Sequence, residues 1–225
     1  MTKALPYILL LVLCLITDFC VTIAIAQAPP FYNEVQAFKK QDSIHFPPKN
    51  TILFVGSSSF TKWKDVQNYF PSQIIINRGF GGSTLLDVIR YAPQVIYPYH
   101  AKQVVIYCGE NDLASSDTVT AQMVLQRFKQ LFNGIRKNNP AVSIAFVSIK
   151  PSPGRQQLWP KMIAANQRIK NFLNKKSKTA FIDVYHKMFN KDGTVMQDIF
   201  IEDNLHMNAK GYAIWQKIIK PYLKK

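Results

Sequence analysis

Cysteine and acid are scarce in this chain, and no segment of it reads as a linker or a repeat. Of the three cysteines, Cys14 and Cys20 lie in an apolar leader. Cys108 therefore stands alone in the remainder, and an intramolecular disulfide is excluded there even in an oxidising compartment. Packing must hold the fold together, and Cys108, at the end of an apolar run, suits a small buried hydrophobe better than a nucleophile. Neither leader cysteine follows the small residue that a bacterial lipid-attachment signal requires, which argues against a lipoprotein. With no Pro/Gly-rich linker and no internal repeat, residues 29–225 read as one domain with a sizeable core. The pattern G-x-x-x-x-G-K-[ST] is missing, so that phosphate loop is excluded. His45, His100 and His186 show no metal-ligand spacing, and neither a metal nor another cofactor is expected.

The shortage of acid leaves 13 Asp and Glu against 28 Lys and Arg, a formal net charge of +15. The lysines are scattered. The short run "KKSK" at Lys175 to Lys178 falls where a helix would end and its dipole favours cations. Nucleic-acid binding is not expected from such scatter, although a basic surface favours anionic polymers or an acidic membrane face. Residues 1–28 read as a signal peptide: an early lysine, Lys3, an apolar span, then the A-x-A sites Ala24–Ala26 and Ala26–Ala28. A retained membrane anchor is the rival, and Asp18 opposes it, since an aspartate at a helix centre costs about 2.5–3.5 kcal/mol on insertion scales. Export to the periplasm or beyond is the expectation, with membrane association only if the leader stays.

Four apolar, β-branched runs recur: "TILFVG" from Thr51, "QIIINRG" from Gln73, "QVVIYCG" from Gln103 and "SIAFVSIK" from Ser143. A shorter fifth, "TAFIDV", begins at Thr179. Continuous runs of this kind suit strands buried on both faces. Helical patterns separate or follow them at Leu85–Val95, Val119–Lys137, Met162–Leu173 and Ala209–Leu223, with Ser83 and Asp117 as candidate caps. This alternation predicts an α/β fold: a three-layer sandwich around a five-stranded parallel sheet in the flavodoxin-like order 2-1-3-4-5. The working site of such a sheet lies beyond the carboxyl ends of its strands.

The unusual residues fall at those ends: Gly56-Ser57-Ser58-Ser59, "NRGFGGST" at Asn77 to Thr84, "GEND" at Gly109 to Asp112, and "DNLH" at Asp203 to His206. Each alone has a structural reading as a cap or turn. Together they suit acyl transfer. A serine hydroxyl needs an imidazole to take its proton, and His206 is the best candidate. The imidazole needs a carboxylate to fix its tautomer, and D-x-x-H places Asp203 one turn away. The developing oxyanion needs preorganised donors: a backbone N–H of the nucleophile's own turn, one from a glycine, and an amide such as Asn111.

From Asn50 onward the chain resembles the SGNH, or GDSL-type, hydrolase superfamily. The resemblance implies Ser58 of Gly56-Ser57-Ser58 as nucleophile, and Ser58, Gly82 of N-x-x-x-x-G and Asn111 of G-x-N-D as the oxyanion hole. It implies Asp203 and His206 of D-x-x-H as the rest of a catalytic triad. Ser57 stands where the family usually has aspartate; Ser57 and Ser59 are expected to bond locally and shape the turn. "GSSSFTKW" and "SIKPSPGR" resemble a subgroup of esterases acting on small acyl groups, including acetylated sugars. The implied substrate is thus a small ester or an acetylated carbohydrate, with the oligomeric state left open. Trp63, Arg155 and Trp159 are candidate substrate-binding residues, each with a structural rival: core for Trp63, solvated loop for the others. Arg78 is weighed the same way. The rival functions are a silent glycan-binding module on the same fold, an anion binder using "GSSS", and nucleic-acid binding by charge.

Overall fold

The computed structural model describes residues 28–225; the leader through Gln27, with the processing expected there, lies outside the described residues. All five apolar runs become strands: β1 Ile52–Gly56, β2 Ile75–Gly79, β3 Gln103–Tyr107, β4 Ser143–Val147 and β5 Thr179–Ile182. They form one parallel sheet in the order β2-β1-β3-β4-β5. β1, β3 and β4 are buried along their whole length, which explains why these runs show no polar alternation.

Eight helices stand among the described residues: α1 Tyr32–Ile44, α2 Ser58–Thr61, α3 Val66–Tyr69, α4 Leu85–Val95, α5 Glu110–Ala114, α6 Ala121–Asn138, α7 Trp159–Leu173 and α8 Ala209–Ile219. On one face of the sheet Leu53, Val55, Val104, Ile106, Ile144 and Phe146 pack under α1, α4, α6 and α7. On the other, Ile52, Phe54, Val105, Tyr107, Ala145 and Val147 pack under α2, α3 and α8. Alternation of Cβ direction along each strand supplies both layers. The result is the three-layer α/β sandwich that the sequence predicts.

Two expected caps are displaced. Thr84, not Ser83, caps α4, its hydroxyl accepting from Asp87 N and its own N–H donating to Asp87 in a capping box. Thr120, not Asp117, caps α6. Ser83 Oγ instead donates to the Gly56 carbonyl, tying the end of β1 to the loop after β2. α1 leaves no helical signature in the sequence, because its only buried residue is Val35 and its apolar stripe is weak. It is held by polar contacts: Glu34 accepts from Gly81 N at 2.8 Å, and Asp42 pairs with Arg78 at 2.5 Å.

Candidate active site

β1 ends at Gly56, where φ is +137° and a Cβ would stand 1.9 Å from the Tyr107 carbonyl oxygen. Only glycine permits that approach. The chain then turns sharply into α2 with Ser58 as its first residue, so the Ser58 N–H has no acceptor within the helix. Asn77, on β2, braces this turn from below. Its Nδ2 donates to the Phe60 and Trp63 carbonyls at 2.7 and 3.3 Å, and its Oδ1 accepts from Gly79 N. The Ser59 carbonyl accepts from the Tyr212 hydroxyl of α8. Ser57 and Ser59 therefore shape the turn through their backbones. The Ser59 Oγ is buried near the Tyr107 hydroxyl without a hydrogen bond of good geometry.

The loop before α8 brings the His206 imidazole over Ser58. His206 Nε2 lies 3.0 Å from Ser58 Oγ, and His206 Nδ1 lies 2.6 Å from Asp203 Oδ2. Asp203 Oδ1 accepts from Leu205 N and His206 N at 2.9 and 2.8 Å. Burial pushes the Asp203 carboxyl up, but the hydrogen bonds from His206 and Leu205 outweigh it and hold the group at about 2. With Nδ1–H donating to Asp203, the neutral ring leaves Nε2 to accept from the Ser58 hydroxyl.

The chain holds a second D-x-x-H stretch. Asp183 and His186 repeat the local pairing, with Nδ1 to Oδ2 at 2.7 Å, yet His186 meets no serine hydroxyl among the described residues. The spacing alone builds an aspartate–imidazole pair. Only the fold brings a serine hydroxyl to the ring, and it does so at His206.

Asn111 sits in the first turn of α5, and a Cβ at Gly82 would lie 3.7 Å from its Nδ2, so the two blocks converge beside Ser58. The Asn111 amide is held at both ends: Oδ1 accepts from Arg155 Nη1 at 2.9 Å, and Nδ2 donates to the Ser83 carbonyl at 3.2 Å. One amide N–H remains for another acceptor. Flipping the amide would set Oδ1 against the Ser83 carbonyl and NH₂ against the guanidinium. Asp112 has a structural task, accepting from Leu85 N at the start of α4 and from Arg127.

Behind Asn111 lies a buried charge cluster that joins Glu110 of "GEND" to Lys150, Ser152 and Arg155 of "SIKPSPGR". Glu110 and Lys150, each almost fully buried, form an ion pair at 2.7 Å. Glu110 also accepts from Ser152 Oγ at 2.6 Å and from the Tyr107 hydroxyl, and Arg155 approaches it at 3.5 Å. Burial alone would raise the Glu110 carboxyl; the charges of Lys150 and Arg155, with hydrogen bonds from Lys150 and Ser152, hold it below its ordinary value. Burial draws the Lys150 ammonium down, and Glu110 opposes that. We take both as ionised, because Glu110 has donors on every side and Lys150 meets a full negative charge at contact distance. The 3₁₀ turn Pro153–Leu158 carries Arg155 and is joined to the Asp203–His206 loop by Gly154 N donating to the Asn204 carbonyl at 2.8 Å.

An open cleft of about 380 Å³ joins these parts, lined by Ser58, Gly82, Asn111, Arg155 and His206 together with Thr61, Lys62, Gly81 and Leu205. Arg155 is thus at the site. Trp63 is not: it is fully buried, stacked on Tyr212 at 4.8 Å beneath α2, so its candidate role in substrate binding is withdrawn in favour of core packing. Trp159 stands outside the cleft lining; its Nε1 donates to the Ser152 carbonyl and braces the Arg155 turn. Arg78 is neither solvated nor near the cleft, being buried against Asp42 and Tyr99. Cys108 is fully buried as expected, and burial pushes its thiol well up. Among the described residues no group of three His, Cys, Asp or Glu could hold a metal ion.

Solved structures share this fold. A protein from Bacteroides fragilis assigned as an acylhydrolase has 19% identity over 84% of this chain and 95% of its own, with a TM-score of 0.73. A GDSL-like lipase from Bacteroides thetaiotaomicron has 19% identity over 83% and 95%, with a TM-score of 0.71. A variant of an acetyl-xylooligosaccharide esterase from Geobacillus has 13% identity over 78% and 95%, with a TM-score of 0.60. No curated protein matches the chain. A model of GDSL-like lipases and acylhydrolases matches residues 48–214, a span holding every block at the cleft. The chain belongs to the GDSL-like lipase/acylhydrolase family and is a carboxylic ester hydrolase.

Proposed function

We propose that this chain is an exported serine esterase that removes short acyl groups, acetyl foremost, from carbohydrates or other small esters. The observation that carries the reading is the relay from Ser58 Oγ through His206 to Asp203, at 3.0 and 2.6 Å, opening on one cleft. Ser58 Oγ attacks the ester carbonyl carbon while His206 Nε2 takes its proton, and Asp203 stabilises the imidazolium. The N–H groups of Ser58 and Gly82 and the free N–H of Asn111 receive the oxyanion. The tetrahedral species collapses, the carbon–oxygen bond to the alcohol breaks, and His206 protonates the departing oxygen. Water, deprotonated by His206, then releases the acid and restores Ser58.

The preference for short acyl groups rests on the lining. Leu205 is the one large apolar side chain among the residues around the cleft, so a long alkyl chain would find little apolar wall to cover its methylenes, each worth about 0.8 kcal/mol when buried. The acetyl-xylooligosaccharide esterase among the similar folds supports the same substrate class. Export rests on the leader's apolar span and A-x-A sites, and N-terminal sequencing of protein recovered outside the cell reads the processing directly. The test of substrate class is a series of esters from acetyl to long-chain, with acetylated xylo-oligosaccharides alongside and Ser58→Ala as the blank. kcat/KM is expected to be highest for acetyl esters; a monotonic rise with chain length would replace this reading with a lipase.

Asn111→Ala should lower kcat by about 10²–10³ and leave KM nearly unchanged, because an oxyanion donor acts in the transition state. Arg155→Met should lower kcat by less, and add little in the Asn111→Ala background, since Arg155 works by holding that amide. Steady-state kinetics of the two single variants and the double variant decide it. A rise in KM that persists without Asn111 would make Arg155 a direct substrate contact.

A further inference from the structure

Between Asp117 and Asp183 the sequence has no acidic residue and twelve lysines and arginines. Three of these are paired, Arg127 with Asp112 and Lys150 and Arg155 with Glu110. The other nine have no carboxylate partner among the described residues. Six lie on α6 or α7 and three follow directly, at Lys175, Lys176 and Lys178. α6 and α7 bury Val124, Phe128 and Leu131, and Met162, Ala165 and Ile169, against the sheet, which turns the charged sides outward. The segment that supplies α6 and α7, two of the four helices on that face of the sandwich, is therefore positive without a counter-charge of its own. Like charges gathered this way destabilise a compact state unless something offsets them.

Between the two helices runs a groove of about 280 Å³ lined by Leu125, Lys129, Arg168, Asn171, Phe172 and Lys175. It offers three cations for carboxylate or sulfate groups and the Asn171 amide for hydroxyls, over an apolar floor. The volume lies near the lower end of the range of ligand pockets, fitting a sugar-sized group. α7 continues without a break from the turn that carries Arg155 to the cleft.

We propose that this face docks an anionic polysaccharide, with the groove as its central contact. A bilayer fits less well, because a helix lying on lipid presents a row of large apolar side chains, and the exposed large hydrophobics of these helices are only Met123 and Ile163. Duplex DNA fits less well because the helices lie packed side by side, so neither stands clear to enter a groove. The proposal is independent of the hydrolytic reading, since none of the groove residues lines the cleft.

The test uses the purified protein and sodium polygalacturonate in a binding titration. Binding is expected at low salt and should weaken steeply as salt shortens the screening length. K129E/R168E/K175E should bind about tenfold or more weakly, since it reverses all three groove charges, and should hydrolyse a small ester at the wild-type rate. K39E/K40E/K191E, which changes net charge equally on other exposed surface, should bind like the wild type, as should Ser58→Ala. Absence of wild-type binding overturns the proposal. So does an equal loss in both triple variants, which would assign the effect to net charge. Tighter binding to phosphatidylglycerol vesicles or to duplex DNA than to polygalacturonate overturns it in favour of that partner.

Discussion

Replacing Ser58 or His206 by alanine should each lower kcat by about 10⁴-fold or more, and replacing both should cost little beyond either alone. The reason is geometric. The Ser58 hydroxyl and His206 Nε2 share one hydrogen bond at 3.0 Å, so the attack and the proton transfer are one event, and either loss abolishes both. Asp203→Ala should cost less, because the carboxylate orients and stabilises the ring without touching the ester. The pH profile separates the roles further. Asp203, held at about 2, stays ionised as pH falls through the mildly acid range, so a loss of activity there does not come from protonation of the aspartate. Single and double variants, first shown to be folded by circular dichroism, are compared under single-turnover conditions. Effects that multiply would mean that Ser58 and His206 act in separate steps, and the triad reading would fall.

Those residues were legible because their chemistry is local. G-S-S-S after an apolar run, G-x-N-D after another and D-x-x-H before the last helix each place a functional side chain at a strand end or in a turn, and the strands themselves show as unbroken apolar runs. Features that depend on tertiary packing were not legible. Trp63 follows Ser58 closely in sequence, yet α2 turns the chain back toward the core and buries the indole. Arg78 looked like a loop cation, because its partner Asp42 lies on α1, a helix too weakly amphipathic to be read. Glu110 and Lys150 are forty positions apart, and only the adjacency of β3 and β4 joins them. A charge at the end of a strand reads as loop unless its partner is known to lie across the next strand.

That hidden pair sets the second large effect. Lys150→Met should destabilise the fold by about 3–5 kcal/mol, since it leaves the buried Glu110 carboxylate facing hydroxyls and a more distant guanidinium. Adding Glu110→Gln should recover part of the loss, because the uncompensated charge goes with its partner. Glu110→Gln alone strands the Lys150 ammonium and should also be costly. Denaturant midpoints at constant m-value measure all three. The pair reaches the chemistry through a short series of contacts: Lys150 and Ser152 fix Glu110, Glu110 draws Arg155, and Arg155 holds the Asn111 amide. In folded protein the Glu110→Gln/Lys150→Met variant should therefore show lower kcat with KM little changed, and the deficit should shrink when Asn111 is already alanine. A purely structural pair would lower the midpoint and leave the kcat of the folded fraction intact. If Lys150→Met is as stable as the wild type, Glu110 is not ionised when Lys150 is gone, and Arg155 must be held by its bond to Asn111 alone.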